Sequence, residues 1–98
     1  MKTEIEFVDI ARNNELEGQI NKEISKLNTR YIWLTHAIVY LKLDKGIDKD
    51  HVVELEFRMP GNPIFVKEKA SKFSFAITKA FNVMHRQLEK RKVQLYQH

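Results

Sequence analysis

Hydrophobic periodicity along the chain predicts an α+β fold of order β-α-β-β-β-α, with a four-stranded mixed sheet and two helices on one face. Three observations carry that prediction. Short runs alternate apolar and polar residues, the period of a half-buried strand. Two other stretches space their apolar residues by three and four, the period of an amphipathic helix. Finally, 98 residues with a 43% apolar share supply one core and no second folded unit, so residues 1–98 are expected to form a single domain.

In the first strand Thr3, Ile5 and Phe7 alternate with Lys2, Glu4 and Glu6. Asn13 or Asn14 then offers a side-chain acceptor as N-cap, and Leu16, Ile20, Ile24 and Leu27 trace one face of a helix ending near Asn28. Gly18 inside that helix costs it about 1 kcal/mol relative to alanine. Ala37, Val39, Leu41 and Leu43 alternate with His36, Ile38, Tyr40 and Lys42, and Asp44-Lys45-Gly46 suits the turn that follows. Val53, Leu55, Phe57 and Met59 form the returning strand of an antiparallel hairpin. Pro60-Gly61-Asn62-Pro63 is the strongest turn signal, and Ile64 to Ala70 reads as the fourth strand. From about Lys72 the period becomes helical, with Phe73, Ile77, Ala80, Phe81, Met84, Leu88 and Leu95 on one face. A crossover through the first helix makes strands one and two parallel, and the remaining strands form a meander.

Seventeen Lys and Arg oppose thirteen Asp and Glu, leaving a formal charge of +4. The excess is local: from Lys67 to Lys92 there are eight basic residues, opposed by Glu68 and Glu89 alone. At about 100° per residue, Lys72, Lys79, Arg86 and Lys90 fall within about 40° of one another, nearly opposite Ile77, Met84 and Leu88. Arg91 and Lys92 extend this charge at the helix C-terminal end, where the macrodipole favours cations. On the first helix Lys22, Lys26 and Arg30 recur every four residues, diluted by Glu15, Glu17 and Glu23. Two adjacent basic stripes would displace counterions from a polyanion and grip phosphates. Charge alone does not separate such a surface from an ordinary solvated helix face; the clustering on the last helix does.

Other chemistry is not assembled. His36, His51, His85 and His98 lack neighbouring ligands at metal spacing, and no cysteine is present to supply a disulfide, nucleophile or thiolate. The glycines form no phosphate-binding loop, and no nucleophile, base and orienting group share a spacing, so neither an enzyme, a small-molecule substrate nor a cofactor is expected. The N-terminus is no signal peptide and no apolar run spans a bilayer, which points to a cytoplasmic protein without a membrane partner. Tyr31 and Trp33 are expected to pack where the first helix meets the second strand. Tyr40 and Phe65 point to the open sheet face, where Glu4, Glu6, Glu54 and Glu56 discourage RNA.

Several of these residues together resemble a known family. The element order, Lys26-Leu27, the strand Tyr40-Leu41-Lys42-Leu43-Asp44-Lys45, the Pro60-Gly61 turn, Ala76-Ile77 and Arg86-Gln87-Leu88-Glu89-Lys90-Arg91-Lys92 are similar to the ribosome hibernation factors. This is the hibernation-promoting factor and ribosome-associated inhibitor A group, also called the sigma-54 modulation or S30EA family, and the likeness is to its short form. The resemblance implies a double-stranded-RNA-binding-like fold and a bacterial protein. It implies binding of small-subunit rRNA between head and body, exclusion of mRNA and tRNA, and inhibition of translation in stationary phase or stress. The family's rRNA contacts match Lys26, Lys79, Arg86, Lys90 and Lys92, with Lys22, Arg30 and Arg91 nearby; Lys72 joins them from the helical ridge. The chain departs from the family pattern at Lys72–Thr78, where the family tyrosine is absent, and at Glu17, Glu23 and Val83. A monomer in solution is expected. The alternative is a protein-interaction module that uses the open sheet face and has no ribosome role.

Overall fold

A computed structural model describes residues 1–46 and 50–96. Its elements follow the predicted order: β1 (Lys2–Phe7), α1 (Asn14–Arg30), β2 (His36–Leu43), β3 (His51–Arg58), β4 (Ile64–Ala70) and α2 (Phe73–Tyr96). The strands form one sheet in the order β1-β2-β3-β4. β1 and β2 run parallel, as the crossover through α1 requires, and the other pairs are antiparallel.

Register places Ile5 beside Val39, Val39 beside Leu55 and Leu55 beside Val66, an apolar row crossing all four strands on the side facing the helices. Onto it pack Ile20, Ile24 and Leu27 of α1, together with Ala76, Ile77, Ala80, Phe81, Met84 and Leu88 of α2. Both helices therefore cover one face. The apolar stripe of each is the sequence period made solid.

Local chemistry sets the helix bounds. Asn13 is the N-cap of α1: its Oδ1 accepts from the Leu16 amide at 3.1 Å. Arg12 clamps Glu17 with two charge-assisted bonds of 2.8 Å, and Glu15 and Glu17 complement the positive end of the helix. α1 runs to Arg30, past the expected stop near Asn28, because the Tyr31 amide still donates to the Leu27 carbonyl at 2.7 Å. At the β2 end, Asp44 Oδ1 accepts from the Gly46 amide at 3.0 Å and Oδ2 meets Lys69 Nζ at 3.1 Å. These bonds hold the Asp44 carboxyl below its ordinary pKa, the Gly46 amide contributing most. Gly61, in the β3–β4 turn, has φ +92°, a conformation glycine adopts without steric cost.

Among the described residues the second sheet face has no covering layer, yet Ile38 and Val52 on it are 7% and 2% exposed. Val52 lies in register between Lys42 and Lys69, and Ile38 between Glu4 and Glu56. Long charged side chains shelter apolar neighbours with their stems while their heads stay wet. Glu54 meets Lys42 at 3.0 Å and Lys67 at 3.7 Å, and Glu56 meets Arg58 at 2.7 Å, so much of that acidity is neutralised in place.

Candidate nucleic-acid interface

The flank of α2 that faces α1 is fixed by three side-chain bonds. Gln19 Nε2 donates to the Ser74 carbonyl at 3.0 Å, and Arg30 donates to Glu89 Oε1 through Nε at 2.8 Å and Nη2 at 2.7 Å. By helix geometry Lys79, Arg86 and Lys90 lie about 60–100° around α2 from Glu89, on the side away from α1. These three and Lys72 are exposed. Lys79, Arg86 and Lys90 thus share one exposed side of α2, with Lys72 just before its first residue.

The nine predicted residues are not equally available. Among the described residues, Lys22, Arg86 and Lys90 are exposed and engage no carboxylate. Lys72 Nζ stands 5.7 Å from the centre of the Phe75 ring. Lys79 Nζ donates to the Lys69 carbonyl at 2.8 Å and lies 3.8 Å from Glu68, tying α2 to the edge strand β4. Lys26 pairs loosely with Glu23 at 3.6 Å. Arg30 spends two of its N–H groups on Glu89. Lys92, one turn after Glu89, is half-buried and helps to stabilise that carboxylate.

Arg91 faces away from the ridge. Its Nη1 donates to the Asn62 carbonyl at 2.8 Å and to the Pro60 carbonyl at 3.3 Å, fastening the β3–β4 turn to the helix. Nor do Arg91 and Lys92 lie at the helix end: α2 continues to Tyr96 and its last turn holds no basic residue, so the expected macrodipole interaction is not formed there. Leu95, expected on the apolar face, is only half-buried, because α2 buries no residue beyond Leu88.

Between the helices lies a groove of about 240 Å³ bounded by Lys26, Arg30, Asn82 and His85. At its end Tyr31, fully buried, donates its hydroxyl to Glu89 Oε1. Burial first, and then the adjacent carboxylate, push the Tyr31 hydroxyl up to about 12. The Tyr31 hydroxyl and then Arg30 hold Glu89 below the usual carboxylate range. Tyr31 and Trp33 pack at this junction with ring centres 5.5 Å apart, as structural aromatics. His36, His51 and His85 are half-buried and His98 lies outside the described residues; no group of three or more metal-ligating side chains occurs among the described residues. No described helix is long and apolar enough to cross a membrane.

Hydrophobic periodicity passes over one residue of this surface. Phe75 lies within about 60° of Lys72, Lys79 and Arg86 on the helix, and is 54% exposed. Its signal in the sequence is an aromatic at the angle of the cations, three residues after Lys72 and four before Lys79.

The sequence model of the family described as Sigma 54 modulation protein / S30EA ribosomal protein matches residues 3–96. The chain belongs to this family. Its fold is shared with a ribosomal subunit interface protein from Coxiella burnetii, at a TM-score of 0.85 and 12% identity, over 95% of this chain and 99% of that one. It is shared also with the N-terminal domain of Thermus thermophilus Protein Y, at a TM-score of 0.78 and 21% identity, over 92% of this chain and 98% of that one. None of the curated proteins matches the chain in sequence. Membership in the S30EA family makes this a chain of ribosome-associated type, and at such low identities the two likenesses speak for the fold.

Proposed function

We propose that this chain is a ribosome hibernation factor of the bacterial cytoplasm, which binds small-subunit rRNA between head and body and excludes mRNA and tRNA. The observation that carries the reading is the exposed ridge of Lys72, Lys79, Arg86 and Lys90 on a member of the S30EA family. The ridge provides cations for phosphate; Lys22 and Lys26 add to it from α1, while Arg30, Arg91 and Lys92 serve first to hold the helices and the β3–β4 turn in place. Inhibition follows from occupancy: a rigid body seated where mRNA and tRNA must lie blocks both without chemistry. The protein acts as a monomer and as a single domain, without a cofactor.

The test is co-sedimentation with purified small subunits across a salt series. Binding weakens linearly in log–log form as salt rises, and Arg86→Glu with Lys90→Glu lowers that slope by about 2 while leaving the fold intact. Co-sedimentation of the double variant equal to that of the unaltered chain excludes this face.

A second reading has its own observation. Tyr40 and Phe65 border a shallow groove of about 440 Å³ on the open sheet face, and Phe65 is 68% exposed. If this face captures a polypeptide, Phe65→Ala abolishes capture while ribosome binding is unchanged.

A further inference from the structure

Phe75 does not belong to the core: it is absent from the cluster that Phe73, Ala76 and Ile77 join on the same helical turn. α2 begins at Phe73, and one turn on from Phe75 stand Thr78 and Lys79, neither of them apolar. Solitary exposed apolar residues are ordinary on protein surfaces. This one differs in its electrostatic setting. Its ring already holds one ammonium, that of Lys72, while Lys79 follows one turn on with its own ammonium turned to the Lys69 carbonyl. More than half of its surface remains open to a planar partner. Phe65 makes the contrast: it is more exposed, but stands in register beside Glu56, already paired with Arg58, and among the described residues no cation lies over its ring.

An aromatic face beside a cation matches the chemistry of an unpaired nucleotide, whose base stacks while a neighbouring phosphate takes the charge. A paired A-form helix cannot use such a face, because its bases are already stacked inside the duplex. We infer that Phe75 is a stacking platform for an unpaired RNA base, with Lys72 holding an adjacent phosphate. The inference rests on the RNA-binding reading of the ridge and adds to it a component that distinguishes single-stranded from paired RNA.

The experiment measures binding of the full chain to two end-labelled probes, a short oligoadenylate and a fully paired, blunt-ended RNA duplex. Phe75→Ala weakens oligoadenylate binding roughly five- to a hundredfold, leaves duplex binding unchanged, and Phe75→Trp restores the loss. Lys72→Ala weakens both probes and raises the salt sensitivity of neither. The inference is overturned if Phe75→Ala binds oligoadenylate as the unaltered chain does, if it loses both probes equally, or if the unaltered chain binds the duplex alone; in each case the unaltered ridge still binds RNA. Failure of the unaltered chain on both probes and on small subunits overturns the ridge reading and this inference together. Loss of a polypeptide partner by Phe75→Ala with both RNAs still bound assigns the ring to a protein instead, and equally overturns it.

Discussion

Tyr31, buried at the end of α1, donates its hydroxyl to Glu89 on α2, and the acceptor oxygen also takes two bonds from Arg30. One carboxylate thus joins the helices at the end of their shared groove. Its pH dependence follows from the two shifts. Glu89 is held below its ordinary 4.5, so its contribution is present above that pH and lost as pH falls through the depressed value. Tyr31 is raised from 10.0 to about 12, so the protonated form belongs to the folded state; that contribution is present below pH 10 and lost between 10 and 12. Thermal midpoints measured against pH should fall at both extremes. Tyr31→Phe flattens the alkaline limb, and Glu89→Gln reduces the acid one.

Arg91 makes a second fastening, to the Pro60 and Asn62 carbonyls that flank Gly61. A Cβ at Gly61 would meet Arg91 Nη1 at 3.1 Å, in a backbone conformation with φ +92°. Gly61→Ala is therefore expected to destabilise by about 1–2 kcal/mol. Denaturant titration checks this, and Gly61→Asn, which tolerates a positive φ better, loses less.

Gly18 is the opposite case. Nothing lies within 4 Å of a Cβ placed there, and the residue sits on the exposed side of α1. Gly18→Ala should stabilise by about 0.4–1 kcal/mol, read as a higher denaturant midpoint at an unchanged slope.

α2 divides into a buried and an overhanging part. Phe81, 2% exposed and 6.1 Å from the Phe57 ring, anchors the helix on the sheet, so Phe81→Ala costs about 3–5 kcal/mol. Val93 is 58% exposed, and Val93→Ala changes stability by less than about 0.5 kcal/mol. Equilibrium unfolding of the two variants separates them.

The fold was legible because period two and period 3.6 were both written clearly. Alternation in His36–Leu43 and in Ile64–Ala70 yields the observed strands, and the stripe from Phe73 to Leu88 yields the observed face. Alternation sets Ile38 on the outer face without showing its burial: it counts neighbours along a strand, whereas the cover comes from side chains on adjacent strands. The ridge was legible as angles on α2. The fate of each cation was not, because Arg30 meets Glu89 and Arg91 meets Pro60 and Asn62 across about 30 residues or more of chain. Such contacts depend on where the sheet sets the helix, which no local spacing encodes. Phe75 escaped for a different reason: it lies off the apolar stripe of α2, and periodicity weighs only the residues on that stripe.

Both rims of the sheet are strands with one side unpaired, and both are charged, with Lys2, Glu4 and Glu6 along β1 and Lys67, Glu68 and Lys69 in succession along β4. A neighbour approaching edge-on must strip water from those groups before any amide finds a carbonyl. Growth of the sheet from molecule to molecule is thereby opposed at its two starting points, and crowding favours separate copies over fibrils.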